Sequence, residues 1–176
     1  MKKIFLIAII LFAFKFGVAE ECRYCIPENS NISCQEVENT IKLVNKIRAE
    51  VGTAPLKWDC KLAEDSQRWA EYLASKETLA HSQTNGKYGE NLYFFWSSNG
   101  DIASLEDAIK SWYAEKKYFI YGSPNWCKAG KVCGHYTQLV WKDTKAIGCG
   151  KAYKNNATYV VCRFYPAGNW LGKQPY

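Results

Sequence analysis

Eight cysteines constrain this chain more than any other feature of its sequence. They lie at Cys22, Cys25, Cys34, Cys60, Cys127, Cys133, Cys149 and Cys162. An even number of cysteines in a secreted chain indicates a disulfide framework, which here means four bridges. A zinc cluster is the alternative, but only Cys22 and Cys25 have CxxC spacing and no second pair follows.

The first 19 residues are typical of a cleaved secretory signal. Lys2 and Lys3 precede an apolar run over 4–14, and small residues end the segment at Ala19. Lys15 interrupts the run, so it is shorter than the ~20 apolar residues that a membrane-spanning helix needs. We therefore expect cleavage after Ala19, secretion to the extracellular space and no transmembrane segment in the mature chain.

The mature chain has the size of one domain and carries little net charge. The formal charge is +6, and three of the lysines lie in the signal, so about +3 remains. That charge is too small for a dedicated nucleic-acid surface. A domain of this length buries roughly 70% of its unfolded surface, enough for one core. We expect a monomer with a cysteine-rich leader over 20–35 and a single domain over 36–176.

Apolar residues that recur every three or four positions predict three helices. The first covers 36–50 and stops before Gly52, and the second covers about 61–76. The third begins after Asp101, which we expect to cap it.

Runs rich in β-branched and aromatic residues predict strands at 91–95, 138–141, 146–152 and 159–164. Helices mixed with strands indicate an α+β domain, with helices packed over a small, mostly antiparallel sheet. The last two strands flank a polar turn and carry Cys149 and Cys162, so we predict a disulfide between them. Spacing alone leaves the other pairings open.

Four motifs carry a resemblance to a known family. They are HSQTNGKYGENLYF at 81–94, WYAEK at 112–116, GHYTQLVW at 134–141 and YVVCRFYPAGNW at 159–170. In wording and order they resemble the CAP superfamily, which includes cysteine-rich secretory proteins, insect venom antigen 5 and plant pathogenesis-related class 1 proteins. The resemblance spans nearly the whole mature chain and implies an α-β-α sandwich of the secreted, venom-allergen-like type.

The resemblance also implies how the remaining cysteines pair. Antigen 5 relatives tie a short cysteine-rich leader to the domain, which gives Cys22 with Cys34, Cys25 with Cys127, and Cys60 with Cys133. The sequence stops at Tyr176, soon after the last motif. The extra cysteine-rich module of some mammalian relatives, and the ion-channel modulation attributed to it, are therefore not expected.

His81, Glu90, Glu115 and His135 match four family residues that meet in a central cleft. Their local spacing shows no site, because there is no HExxH helix or comparable pair. Two imidazoles, with carboxylate or water completing the shell, imply weak and exchangeable divalent binding, zinc ahead of magnesium. The alternative is a metal-free network in which the histidines hydrogen-bond to the glutamates.

The run Tyr93, Phe94, Phe95, Trp96 is unusually apolar. Strand alternation would turn Tyr93 and Phe95 one way and Phe94 and Trp96 the other, so some rings would lie near the surface unless both faces are covered. The alternative is a central strand that is buried on both faces. The resemblance implies sterol binding at these four residues, because an aromatic loop in this region binds sterol in relatives.

Relatives also hold a fatty acid in a groove between two helices. By resemblance the groove would lie between the first helix and the helix after Asp101. It would be lined by Val37, Ile41, Val44, Ile109 and Tyr113. The alternative role for these residues is ordinary core.

The sequence therefore favours an extracellular protein that binds or sequesters sterol or fatty acid. The alternative is an interaction module, an immune-modulating ligand of an extracellular receptor with no lipid role. A divalent-metal-dependent hydrolase is a third reading, but there is no GxSxG motif and the cysteines are expected to be oxidised. We expect no catalytic residues.

Sequons at Asn31 and Asn156 are candidate N-glycosylation sites or simply unoccupied loops.

Overall fold

The computed structural model describes residues 22–123 and 126–176. The predicted signal and its cleavage point lie outside the described residues. The elements are α1 (Cys34–Ala49), β1 (Lys57–Trp58), α2 (Cys60–Lys76), β2 (Gly89–Trp96), α3 (Leu105–Tyr113), a 3₁₀ helix (Ala114–Tyr118), α4 (Gly134–Leu139), β3 (Ala146–Lys154) and β4 (Ala157–Tyr165). Within those two ranges, no helix has the length and apolarity to cross a bilayer.

The strands form one sheet in the order β1-β3-β4-β2. β3 and β2 flank β4 antiparallel to it, and the two-residue strand β1 runs parallel to β3. The α+β class and the mostly antiparallel sheet are therefore confirmed. β2 lies at the edge of the sheet, with β4 as its only strand neighbour among the described residues.

Helix α2 covers one face of the sheet at very short range. A Cβ added to Gly148 would lie 2.2 Å from the backbone nitrogen of Ala63, and one added to Gly150 would lie 2.2 Å from that of Gln67. Only glycine allows the helix backbone to approach the strand so closely. Farther along α2, Ala70 and Leu73 pack with buried side chains of β2 and β4.

Helices α1, α3 and α4 cover the opposite face. Their apolar side chains form the larger core cluster with Ile147, Cys149, Val160, Cys162 and Phe164 of β3 and β4. Alternate residues of each strand thus serve two separate cores. This is the predicted α-β-α sandwich.

Helix caps correct one sequence-based expectation. Asp101 does not cap the third helix, because its carboxylate accepts a hydrogen bond from the Ser97 hydroxyl at 2.7 Å. The cap is Ser104, which forms a reciprocal capping box with Asp107, and α3 begins at Leu105. α1 and α2 begin one or two residues earlier than predicted.

The strand predicted at 138–141 is wrong. Residues 134–139 form helix α4, and the chain turns at Val140. Every residue from Tyr136 to Trp141 is buried. A short helix that is buried on all sides has no polar face, so its sequence cannot be distinguished from a buried strand by periodicity.

All eight cysteines form disulfides, and two of the four expected pairings are wrong. Cys149 pairs with Cys162 and Cys22 with Cys34, as expected. Cys25 pairs with Cys60 rather than Cys127, and Cys127 pairs with Cys133 rather than Cys60.

The geometry explains both corrected pairings. The leader lies beside the start of α2, where the Trp58 indole donates to the Cys25 carbonyl at 3.0 Å, so Cys60 is near Cys25. Cys133 lies only six residues after Cys127. Both belong to the loop before α4, so their bridge closes that loop locally.

Arg48 of α1 is fully buried and holds the C-terminal end of α4. Its guanidinium donates to the carbonyls of Leu139 at 2.8 Å, Trp141 at 3.0 Å and Thr144 at 3.2 Å. It also donates to the Ala54 carbonyl at 2.6 Å. Burial lowers the pKa of this guanidinium to about 10, so it remains cationic at neutral pH.

Replacing Arg48 by leucine should lower the free energy of unfolding by about 3–5 kcal/mol, because buried carbonyls lose their donor. The measurement is urea unfolding of the disulfide-intact protein. Arg23→Leu is the control, because the Arg23 side chain is 68% exposed and pairs with Glu38 at the surface. It should change stability by less than about 1 kcal/mol. Equal losses in the two variants would contradict the role given to Arg48.

Candidate functional site

The first half of the candidate site is a buried carboxylate at the start of β2. One oxygen of Glu90 accepts from His81 Nδ1 and from the Ser82 amide, both at 2.9 Å. The other accepts from the Ser82 hydroxyl at 2.6 Å and from Arg163 Nε at 3.3 Å. Arg163 lies opposite Glu90 in the β2–β4 register, so strand pairing sets this contact.

The surroundings of Glu90 keep it ionised. Its side chain is only 2% exposed, and burial by itself would raise its pKa. Hydrogen bonds from His81 and Ser82 and the charge of Arg163 outweigh that effect, so the pKa lies below its usual value. The His81 ring is 61% exposed. The pair therefore consists of a buried, ionised Glu90 carboxylate and a His81 imidazole that faces solvent.

The second half joins the 3₁₀ helix to α4. One oxygen of Glu115 accepts from His135 Nδ1 at 2.7 Å. The other accepts from the backbone amides of His135 at 3.0 Å and Tyr136 at 3.3 Å. These amides belong to the first turn of α4, which has no side-chain cap of its own. Glu115 thus caps α4 across the chain and orients its histidine.

Asn91 links the two halves. It follows Glu90 on β2, and its side-chain amide donates to the His135 carbonyl at 3.1 Å. Trp112 of α3 stacks on the His135 ring, with centroids 6.1 Å apart and planes 14° apart. The Trp112 indole donates to the Leu92 carbonyl at 3.0 Å. Contacts from β2, β4, α3, the 3₁₀ helix and α4 therefore position the two histidine–glutamate pairs around the start of β2.

The hydrogen bonds decide what the imidazoles offer. A carboxylate only accepts, so the Nδ1 atoms of His81 and His135 carry the protons and each neutral ring keeps its Nε2 lone pair. Both carboxylates already accept several donors and serve as partners that orient the rings. Over 22–123 and 126–176, no cluster of three or more His, Cys, Asp or Glu side chains has the arrangement of a metal site. A cation here would take at most the two imidazoles from the protein.

The same contacts bear on hydrolysis. A general base must accept a proton from the attacking water. Glu90 and Glu115 instead hold an imidazole, backbone amides and, for Glu90, a hydroxyl and a guanidinium. Four donors engage Glu90, which fills its acceptor positions, whereas three engage Glu115 and leave one position on its Oε1 atom.

The aromatic run lies on the edge strand, so the alternative of a central, doubly buried strand is wrong. Burial alternates along it: Phe94 is 45% exposed and Trp96 is 57% exposed, whereas Tyr93 and Phe95 are partly buried. Phe94 contacts Tyr159 of β4 edge-to-face, with ring centroids 5.2 Å apart. Trp96 lies opposite Ala157, which is too small to cover its ring.

The fatty-acid groove expected between α1 and α3 is closed. Val37, Val44 and Ile109 have no exposed surface, and Ile41 is 9% exposed. All belong to the core cluster, because the two helices pack directly on one another. Tyr113 is partly buried beside this core, and its hydroxyl donates to Glu50 at 2.7 Å.

Sequence reasoning assigned no role to Ser82, Asn91 or Arg163, which complete the site. The only signal was position, since Ser82 follows His81, Asn91 follows Glu90, and Arg163 lies in the last motif.

The sequon asparagines Asn31 and Asn156 are both exposed. Their glycosylation remains a prediction.

Comparison with known proteins places these features in a family. The model of the cysteine-rich secretory protein family, CAP, matches residues 41–164. Pathogenesis-related protein 1C of Nicotiana tabacum is 41% identical over 153 residues, which cover 86% of this chain and 84% of that protein. Pathogenesis-related protein PRMS of Zea mays is 42% identical over 134 residues, or 75% of this chain and 77% of that protein.

Solved structures agree with the fold. The structure of BmVAL-1 is 27% identical with a TM-score of 0.72, covering 86% of both chains. The crystal structure of NaASP2 with Zn²⁺ is 26% identical with a TM-score of 0.68, covering 86% of this chain and 90% of that one.

The hydrogen bonds predict the tautomer of both histidines. Long-range ¹H–¹⁵N correlation spectra of the neutral rings should show the Nδ1–H form for His81 and His135. Glu115→Gln should perturb the His135 signals and leave those of His81 unchanged. It should also lower stability by about 1 kcal/mol, because a charged cap of α4 is lost. An Nε2–H form for either wild-type ring would contradict this geometry.

Proposed function

Because the chain belongs to the cysteine-rich secretory protein (CAP) family, we propose that it is a secreted protein that binds and sequesters an apolar lipid, specifically a sterol. The site is the outer face of β2, and the observation that carries the proposal is the exposure of Phe94 and Trp96. Relatives about 40% identical are named pathogenesis-related proteins, so a role in defence is part of the proposal.

The position of β2 explains why these rings are available. α2 packs mainly against β3 and β4, and Leu92 is the β2 side chain in its core cluster, so Phe94 and Trp96 lie beyond that cover at the edge of the sheet. A sterol is a flat, rigid, apolar molecule that can lie on two neighbouring rings without losing conformational freedom. Covering the exposed half of each ring would contribute about 1 kcal/mol per ring.

Disulfides support the secreted setting. Four bridges join all eight cysteines, and such bridges persist in oxidising compartments. The predicted signal over 1–19 is consistent with that route.

The test is saturation binding of labelled cholesterol to the oxidised protein. Phe94→Ser and Trp96→Ser should each weaken binding about fivefold, because each removes apolar contact area. Trp170→Ser is the matched control, since Trp170 is also half-exposed, at 50%, but lies outside β2. It should bind like wild type.

Two outcomes would redirect the proposal. Equal weakening by Trp170→Ser would mean that binding is not located on β2. No saturable binding by wild type would favour the interaction module, in which the same exposed rings contact a receptor protein. Ile41→Glu is not a useful probe of a fatty-acid groove, because it would place a carboxylate in the α1–α3 core and unfold the protein.

We also propose that His81 and His135 bind a divalent cation weakly through their Nε2 atoms. Imidazole nitrogen favours zinc over magnesium, and the carboxylates behind each ring raise its basicity. A related structure is described as NaASP2 with Zn²⁺. Bound zinc would supply a Lewis acid, and both carboxylates would orient the imidazoles that hold it, so the proposed role is binding rather than catalysis.

Calorimetric titration with zinc tests this second proposal. Wild type should give a saturable heat with zinc and none with magnesium. His81→Ala and His135→Ala should each abolish it, and the interpretation is direct because the chain has only two histidines. A heat that persists in the double variant would show that zinc binds elsewhere.

A further inference from the structure

A second surface lies on the loop between the 3₁₀ helix and α4. Residues 116–133 contain four lysines and no aspartate or glutamate. Lys116 pairs with Glu50 at 2.7 Å. Within the described ranges, Lys117, Lys128 and Lys131 form no salt bridge, and all three are exposed. The loop therefore carries a local positive charge that the chain's modest net charge does not reveal.

The loop has an inner and an outer side. The backbone of 118–120 pairs with 126–128 through Lys128 N to the Tyr118 carbonyl at 2.8 Å and Ile120 N to the Trp126 carbonyl at 2.6 Å. Phe119 points inward and packs against two core clusters. Tyr118, the last residue of the 3₁₀ helix, is partly buried against the cluster of Trp126 and Trp141, whereas Ile120 is exposed.

Two lysines lie at the Tyr118 ring. The Nζ atoms of Lys117 and Lys131 lie 5.0 and 5.4 Å from the centroid of the Tyr118 ring. Both ammonium groups are thus held near one aromatic ring by cation–π contact. Tyr118 brings together two charges that are 14 residues apart in sequence.

Apolar side chains project beside these charges. Ile120 is 42% exposed, Tyr121 is 64% exposed and Val132 is 62% exposed. In the described parts of the loop, the Cys127–Cys133 disulfide holds 127–133, and Gln174 accepts from the Gly122 amide at 3.2 Å. Tyr121 also stacks on Tyr176, with centroids 5.5 Å apart. Side chains on such restrained segments lose little conformational entropy on binding.

We propose that this loop surface, made of Lys117, Lys128, Lys131, Ile120, Tyr121 and Val132, binds the surface of an anionic phospholipid bilayer. The lysines match the negative headgroups. The apolar tips and the tyrosine match the interfacial layer beneath them, where amphipathic rings are favoured.

The apolar residues decide between a membrane and a soluble polyanion. A sulfated or carboxylated polymer in water would pair with the lysines but would bury little of Ile120 and Val132. A bilayer interface can bind the lysines and also bury the side chains of Ile120 and Val132. Each of these apolar side chains then adds to the free energy of partition into the membrane. This surface shares no residue with the proposed sterol and metal sites, so the membrane proposal can be tested independently of them.

Co-sedimentation with vesicles tests the proposal. Phosphatidylcholine vesicles with about 30% phosphatidylserine should bind the protein at low salt, pure phosphatidylcholine vesicles should not, and added salt should release it. Lys128→Gln/Lys131→Gln should lower the partition coefficient at least about tenfold. The matched control is Lys57→Gln/Lys76→Gln, which removes the same charge at exposed positions on β1 and α2. It should lose much less.

Ile120→Ser/Val132→Ser distinguishes the two classes of partner. It should weaken vesicle binding severalfold while leaving the salt dependence in place, and circular dichroism should confirm a retained fold. Heparin is the soluble polyanion to compare. Vesicle binding that is insensitive to Ile120→Ser/Val132→Ser, with equally tight heparin binding, would overturn the membrane assignment in favour of a polyanion. If the two lysine double variants lost vesicle binding equally, the assignment of binding to this loop surface would be wrong.

Discussion

The buried guanidinium of Arg48 is the contact on which the arrangement of the site depends. It binds carbonyls at the C-terminal end of α4, a helix of six residues. So short a helix is not stable alone. Glu115 provides a negative charge at the opposite end, on the amides of the first turn. The cationic Arg48 at the C-terminus of α4 and the anionic Glu115 at its N-terminus both interact favourably with the helix dipole. Together they fix the position of His135.

Charges at helix ends also join the two layers elsewhere. Lys151 of β3 and Glu36 of α1 form a salt bridge at 2.8 Å, with side chains 5% and 13% exposed. Glu36 accepts in addition from the amide of Leu105, the first residue of α3. Two buried charges would be costly without such extra hydrogen bonds. Here one carboxylate holds the sheet and the beginnings of both helices in register.

The sequence predicted α1 and α2 from an apolar face that recurs every three or four residues, and β3 and β4 from runs rich in β-branched and aromatic residues that flank a polar turn. All four were found within a few residues of their observed bounds. α4 was taken for a strand because residues from Tyr136 to Trp141 are all buried. The leader pairing was wrong because Cys25 meets Cys60 through the docking of Trp58, a tertiary contact that has no sequence pattern. The histidine–glutamate pairs were matched by motif, but Ser82 and Arg163 became visible only with strand register.

β2 carries both proposed binding features, and its geometry keeps them apart. Glu90 lies near the start of the strand and Trp96 at its end. Phe94 and Trp96 are four and six residues from Glu90, which at ~3.3 Å per residue is about 13 and 20 Å along the strand. The proposed sterol rings and the buried carboxylate therefore lie toward opposite ends of β2. The strand is rigid because all eight of its residues pair with β4, so the two sites share a scaffold without sharing a ligand.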